Sequence, residues 1–277
     1  MTENESAILI TGATGTVSSE VVKHVSSAGR NVRVRAAVRS INKAAKIKAV
    51  GAEITEVDYT MPTTLTKAFI GVDNLFLNTP FQQDMVELTS NLVSEAVNSG
   101  TVKHIVKLSV LDAEDEPGIM GSRIHRQAEK KLKNQGYHLH SCVQAGSCKT
   151  LSTSLIVASS LWGAFYVPAG DGKFGFVDVR DIAAVAVNVL TKNSSRYENK
   201  AYGITGSQTL SYAQAAEILS NEIGRRISYV DVPEEDGRKG MKQVGMENWV
   251  IDALMELYNR IKAGQESKTT TVVEQIT

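Results

Sequence analysis

Charge of one sign is what this chain lacks: thirty Lys and Arg against thirty Asp and Glu leave a formal net charge of +0. Beyond a local basic patch, nothing in that balance attracts nucleic acid or an anionic membrane, so small molecules and other proteins remain as partners. Cysteine is almost absent. Cys142 and Cys148 are too few for a disulfide framework and have no metal-ligand company in sequence. No apolar run is long enough to span a bilayer, and residues 1–7 are polar and acidic, unlike a signal peptide, so the expected location is cytoplasmic. Internal repeats and low-complexity segments are missing too. What remains is an ordinary globular composition over 277 residues, 42% hydrophobic and 22% charged, enough for one large domain or one domain with an appendage.

The rest is organised around Ile8-Leu9-Ile10-Thr11-Gly12-Ala13-Thr14-Gly15-Thr16-Val17-Ser18, an apolar run that breaks into a glycine-spaced turn and then a helical pattern. It reads as strand, phosphate loop and helix. Gly12 permits the tight turn, Gly15 lets backbone N–H groups approach a pyrophosphate, and the helix points its positive N-terminus at the phosphates. Ser18 replaces the third glycine of the usual dinucleotide spacing. Gly12, Ala13, Thr14, Gly15, Thr16 and Val17 are therefore the candidate pyrophosphate contacts, with a plain strand–turn–helix joint as the alternative.

Val21, Val22 and Val25 continue the helix, predicted over 20–28, and Val32-Arg33-Val34-Arg35-Ala36-Ala37-Val38 alternates and then turns apolar, as a second strand does. In a doubly wound fold the end of that strand lies beside the adenosine ribose, where an acid favours NAD and a base accommodates the extra phosphate of NADP. Here it ends Arg39-Ser40, with Lys43 beyond and no acid, which predicts NADP(H); solvated charges at a helix start are the bland alternative. Further strands are predicted over 53–58, 72–80 and 104–110, and helices over 41–50, 63–69 and 84–99. Asp58 is placed either to meet an adenine edge or to cap the next helix. Asn78, Thr79 and Pro80 run into a loop beside the cofactor, and the strand end at Ser109 faces nicotinamide and substrate. Strands alternating with helices in this way indicate an α/β, doubly wound parallel sheet covered on both faces.

Three stretches carry a resemblance. Thr11-Gly12-Ala13-Thr14-Gly15, Ala36-Ala37-Val38-Arg39 and Phe176-Val177-Asp178-Val179-Arg180-Asp181-Ile182-Ala183 resemble the NmrA-like atypical short-chain dehydrogenase/reductases, over nearly the whole chain. The resemblance implies a Rossmann fold that binds NAD(P). It does not separate reductases of quinones, azo dyes or imines from NADP-binding co-regulators that sense redox state.

Ordinary short-chain dehydrogenases use a Tyr-x-x-x-Lys pair whose lysine depresses the tyrosine pKa for proton exchange with the carbonyl oxygen. Anchoring on Glu129 and Leu132, which resemble the family's Glu-x-x-Leu, puts Gly121 at the tyrosine position and His125 at the lysine position. The usual acid is missing. His125 is the candidate for a ribose contact or a proton donor near neutral pH, with a structural histidine as the alternative. Ser109 stands where the superfamily often has its substrate-orienting serine, or is a satisfied loop hydroxyl. His24, His104, His138 and His140 have weaker claims. Hydride transfer to a quinone or iminium carbon needs less acid–base help than carbonyl reduction, so the loss does not exclude an enzyme.

In the family the next strand runs into Arg-Pro-x-x-Phe-Met-x-Asn, part of the cofactor and substrate wall, whereas Val143-Gln144-Ala145-Gly146-Ser147-Cys148-Lys149-Thr150 matches essentially none of it. One codon choice for this stretch, read one base earlier, encodes Arg-Pro-Gly-Trp-Phe-Met-Gln-Asn. A compensated frameshift over about 140–162 is therefore expected, against a divergent loop; gene codons incompatible with the shifted reading refute it.

From Gly163 the pattern resumes. Ala164-Phe165-Tyr166-Val167-Pro168-Ala169-Gly170-Asp171-Gly172-Lys173 reads as a strand and turn of a substrate cleft, and Asp178 and Asp181 as caps and dipole partners of a helix over 182–190. Strands are predicted at 200–206 and 227–232, a helix at 213–223 and a polar linker at 233–240. The helix over 248–263 carries Trp249, Leu254, Met255, Leu257 and Tyr258, a stripe suited to core or dimer packing or, over the cleft, to a lid. Residues 264–277 are polar and read as stopping short of the family pattern. The expected division is 1–140 plus about 176–204 as an NADP-binding Rossmann domain, with about 141–175 and 205–277 as a smaller substrate and lid part.

The expected function is an NADPH-dependent reductase of a small conjugated substrate, with acid help from water or His125. The competing reading is a non-catalytic NADP(H)-binding sensor that changes a protein partnership.

Overall fold

Short apolar strands followed by helices build a seven-stranded sheet in the order β3-β2-β1-β4-β5-β6-β9. The strands are β1 (Ser6–Ile10), β2 (Val32–Val38), β3 (Glu53–Glu56), β4 (Asn74–Leu77), β5 (His104–Val110), β6 (Leu139–Gln144) and β9 (Ala201–Ile204). Every pairing in it is parallel. The computed structural model describes residues 6–28, 32–114, 116–135, 139–144 (backbone only), 163–192 and 197–277. The cysteines and the region 140–162, with the expected frameshift, therefore lie outside the described side chains.

Parallel strands need covering on both faces. On one face Ile8, Ile10, Val34, Ala36, Phe76 and Val106 pack against α1 (Thr16–Ser27) and α6 (Val179–Thr191). On the other, Leu9, Leu75, Leu77 and Ile105 meet α3 (Pro62–Phe69), α4 (Met85–Ser99) and α5 (Met120–Asn134). The chain builds outward from β1 to β3, then returns to place β4 on β1's other side. That reversal opens a crevice beyond the carboxyl ends of β1 and β4, where ligands bind in such sheets.

A third core belongs to the smaller part. Two two-stranded sheets form it: β7 (Ala164–Tyr166) with β11 (Ser228–Val230), and β8 (Lys173–Phe174) with β10 (Leu210–Ser211). Tyr212, fully buried at the start of α7 (Tyr212–Ile223), is ringed by Phe165, Phe174, Tyr229 and Tyr258. Ser211 and Gln214 close a capping box on that helix, the device that fixes its start. The α9 helix (Asn248–Lys262) packs close enough that a Cβ on Gly172 would stand 2.0 Å from the Ile261 carbonyl oxygen, so only glycine fits there.

Several elements differ from expectation. The predicted helix over 41–50 is a 3-10 turn at Ile41–Lys43 followed by a single turn, α2 (Ala45–Lys48). No side chain caps it and Ile47 is the one residue it buries, too little to sustain a longer helix. The predicted linker at 233–240 is instead a helix, α8 (Glu234–Gln243). Glu234, Glu235 and Asp236 favour its N-terminus, and Arg238 and Lys239 pair with Glu234 and Glu235 one turn back, which offsets two glycines. The first helix begins four residues earlier than predicted, at Thr16, because Val17 and Ser18 are buried against the sheet. Finally, α10 (Val272–Ile276), grouped with the smaller part in sequence, packs Val272, Val273 and Ile276 onto the core shared by α1 and α6.

Candidate nucleotide and substrate site

The glycine turn sits at the sheet's reversal. Gly12 adopts φ +59°, a conformation that L side chains rarely take, and a Cβ there would stand 3.1 Å from the Asn78 carbonyl oxygen. A Cβ on Gly15 would stand 3.0 Å from the Gly12 oxygen. Backbone therefore approaches backbone closely at both glycines. Thr11 Oγ1 donates to the Asn78 carbonyl at 2.9 Å and accepts from the Asn78 N–H at 2.8 Å, tying the loop to the end of β4.

Ser18, at the third glycine position, is fully buried, and its hydroxyl accepts from Asn78 Nδ2 at 2.9 Å. The serine thus turns a close helix–strand contact into a hydrogen-bonded one. Tyr59, unanticipated from sequence, accepts the Gly12 N–H at 2.8 Å, and burial pushes its phenol pKa up.

The N-terminus of α1 is open. Gly15 is the N-cap, no side chain caps it and its first turn holds no acid, so the N–H groups of that turn, which have no intrahelical partner, are left for an anion. The cradle and its donor set fit an anionic pyrophosphate. Thr14 is exposed on the loop, whereas Ala13 and Val17 are buried and contribute backbone and packing.

Arg39 is exposed just past β2, with Lys43 exposed in the 3-10 turn. Among the described residues Arg39 forms no ion pair, although its charge acts on Asp58 and Tyr59. Asp58 lies beyond β3, and its carboxylate accepts from the Thr60 side chain at 2.7 Å and the Thr60 N–H at 2.9 Å. Those bonds hold its pKa down and occupy it in the turn before α3, whose N-cap is Met61. Thr79 is buried with its hydroxyl 3.1 Å from that of Thr89, so its side chain serves packing, and Pro80 is half-buried beside it.

Beyond β5 lies a buried polar network. Lys107 is 1% exposed, and its Nζ donates to the Leu108 carbonyl at 2.9 Å and reaches His125 Nδ1 at 3.1 Å. Burial depresses the Lys107 pKa from 10.5 to about 8, with Glu129 opposing. Glu129 is buried one turn below His125 on α5 and accepts the Ser109 hydroxyl. Ser109, itself buried, is thus engaged with Glu129 rather than presented to the crevice. His125 is half-buried; burial first, and the Lys107 charge second, hold its pKa well below the ordinary value. That direction favours the neutral imidazole.

Neither Lys107 nor Glu129 was singled out for chemistry in sequence. The available signal was a lysine inside the run Ile105-Val106-Lys107-Leu108, where a covered parallel strand is otherwise apolar. Of the other histidines, His104 is buried and lowered to about 4 by burial, and the His24 ring bonds its own helix.

An aromatic face borders His125. The Phe81 ring is near parallel to the imidazole, 10° between planes and 6.5 Å between centroids, and Trp249 lies 5.2 Å from Phe81. Trp249 opens α9, its indole N–H held by Glu247 at 2.9 Å. That helix is fixed to α5 by the Glu256 carboxylate, which accepts the Met120 N–H at 2.5 Å and pairs with Arg123 at 3.4 Å. Within the described residues no cluster of three or more His, Cys, Asp or Glu could hold a metal ion, and no helix is long and apolar enough to cross a membrane.

The chain is similar to known proteins over most of its length. The chain is 36% identical over 253 residues to an NAD(P)H azoreductase of Xenophilus azovorans, covering 91% of this chain and 86% of that protein. It is 27% identical over 249 residues to quinone oxidoreductase 2 of Escherichia coli, covering 90% and 86%. The solved Citrobacter sp. triphenylmethane reductase complexed with NADP(H) superposes with a TM-score of 0.83 at 27% identity, covering 98% of this chain and 94% of that one. The NmrA-like family pattern matches residues 4–275, and the chain belongs to that family.

Proposed function

We propose that this chain is an NAD(P)H-dependent oxidoreductase that passes a hydride to a small conjugated acceptor of the quinone, azo or imine type, with NADPH preferred. The observation that carries the reading is the uncapped N-terminus of α1 over the Gly12–Asn78 close approach, placed at the sheet reversal. Backbone N–H groups from Thr14 to Val17 hold the pyrophosphate. Arg39, exposed just past β2 and without an ion pair among the described residues, takes the 2′-phosphate, with Lys43 adding charge.

A reduced nicotinamide supplies the hydride when bound. The protein's share is to bind, orient and protonate. Phe81 and Trp249 offer a planar conjugated acceptor ring faces for offset or tilted stacking. His125 is half-exposed, whereas Lys107, Ser109 and Glu129 behind it are buried. It hydrogen-bonds the oxygen or nitrogen that gains electron density. The absent Tyr-x-x-x-Lys pair is no obstacle, because a quinone or azo acceptor forms a better stabilised anion than a simple ketone does.

The test is to mix purified protein with NADPH or NADH and a panel of quinones, azo dyes and imines, and to follow nicotinamide absorbance. Turnover with NADPH ahead of NADH is the expected result. Tight NADP binding with no turnover across the panel overturns the enzyme reading and leaves a nucleotide-state sensor.

A further inference from the structure

His125 Nδ1 points into the protein, 3.1 Å from Lys107 Nζ and 3.4 Å from Ser109 Oγ. The Ser109 hydrogen is already committed to Glu129. Lys107 is then the donor to Nδ1, because an ammonium has hydrogens to give and no lone pair. Nδ1 must accept, so the proton of the neutral imidazole sits on Nε2, on the ring's far side, where no described residue partners it. This order runs opposite to the tyrosine–lysine pair of ordinary short-chain dehydrogenases. The lysine comes from strand β5, is wholly buried, and stands behind the group that meets substrate.

We infer that Lys107 is a positioning residue and proton source that acts through His125: it fixes the Nε2–H tautomer and replaces, through Nδ1, the proton that Nε2 gives to the acceptor. The inference rests on the reductase reading above. In the step, an acceptor that has gained a hydride carries an anionic oxygen or nitrogen. The Nε2–H bond breaks as a proton passes to that atom, while one N–H bond of the Lys107 ammonium breaks and Nδ1–H forms. The imidazole stays neutral throughout, and Lys107 is left as an amine. After product leaves, Nδ1 returns its proton to Lys107 and water in the crevice reprotonates Nε2. Overall, one hydride and one solvent proton are added to the acceptor.

Glu129 faces this unit from α5 and favours the ammonium form of Lys107 against burial. Its bond from Ser109 keeps the serine from competing for Nδ1. The four groups therefore act as one arrangement in which Nδ1 is engaged and Nε2 has no partner among the described residues.

The chemistry supplies an internal control. A quinone or azo dye becomes an anion on gaining hydride and needs a proton, whereas a triarylmethane or N-methylacridinium cation becomes neutral and needs none. For Lys107→Met, and for His125→Asn should the first variant not fold, kcat for quinone or azo reduction falls about ten- to a hundredfold. For the cation it falls less than about twofold, with KM for NADPH unchanged. Independently of turnover, nitrogen-15 NMR of histidine-labelled protein shows His125 with Nε2 protonated and Nδ1 bare in the wild type, and loss of that single tautomer in Lys107→Met. Equal slowing of both acceptor types, or an unchanged His125 tautomer without Lys107, overturns the proposal while leaving the reductase reading intact. No NADPH oxidation by wild-type protein with any acceptor overturns that reading and this proposal with it.

Discussion

Removing the Lys107 amine should change how stability depends on pH. In the folded chain burial lowers its pKa from 10.5 to about 8, so the native state holds this proton more weakly than the unfolded chain does. Between those two values the unfolded chain keeps a proton that the native state has released, and stability rises with pH across the window. The depression corresponds to about 3 kcal/mol, borne in full below pH 8 and relieved by pH 10.5. Lys107 is 1% exposed, so solvent screening takes little from that figure.

Lys107→Met removes the titrating group while keeping most of the buried volume. It also leaves the Leu108 carbonyl and His125 Nδ1 without their donor, a cost of about 1–3 kcal/mol each way that does not vary over this pH range. The assay is urea unfolding of wild type and variant at intervals from pH 7 to 10.5, followed by far-ultraviolet circular dichroism. The stability of wild type relative to the variant should climb by about 3 kcal/mol over the upper part of that range. Parallel curves would refute the buried, charged lysine.

Arg39→Ala should raise the dissociation constant for NADPH about ten- to a hundredfold, the loss of charge-assisted hydrogen bonds to a phosphate, and that for NADH less than about twofold; equal weakening in fluorescence titrations refutes the phosphate role. Gly12→Ala forces a side chain into φ +59° with its Cβ 3.1 Å from the Asn78 oxygen, and should cost about 1–2 kcal/mol of stability and weaken both nucleotides alike. Gly172→Ala, whose Cβ would overlap the Ile261 carbonyl at 2.0 Å, should lower Tm by several degrees in calorimetry, about 1–3 kcal/mol, by pushing α9 off its seat. An unchanged Tm would mean that α9 is not fixed there.

The sheet was legible because parallel strands and their helices leave strong periodic traces: β2 and β5 fall on the predicted residues, Gly12 and Gly15 form the turn after β1, and Arg39 follows directly on β2. The site's inner layer was not. Lys107 and Glu129 lie 22 residues apart in sequence, and their charges interact only because α5 folds back over β5. Tyr59 is tied to Gly12 across 47 residues, a contact no local pattern announces. For Ser109 the sequence left a substrate-orienting serine and a satisfied hydroxyl both open, and the structure shows the second, with Glu129 as a partner that only the three-dimensional fold identifies. The α8 helix was hidden by Gly237 and Gly240, which suggest a linker until the carboxylates at its start and the pairs of Arg238 and Lys239 are counted together.

Direct hydride transfer from a reduced nicotinamide nucleotide whose pyrophosphate sits at the Gly12–Gly15 turn, as proposed above, is open to one decisive measurement. The direct measurement uses NADPH carrying deuterium at the transferable position of nicotinamide C4, a triarylmethane cation as acceptor, and mass spectrometry of the leuco product. Hydride added to the central carbon does not exchange with water. One deuterium is expected on that carbon, and none when unlabelled NADPH is used in deuterated water. A product that takes its new carbon-bound hydrogen from solvent, or no product at all, would contradict direct transfer.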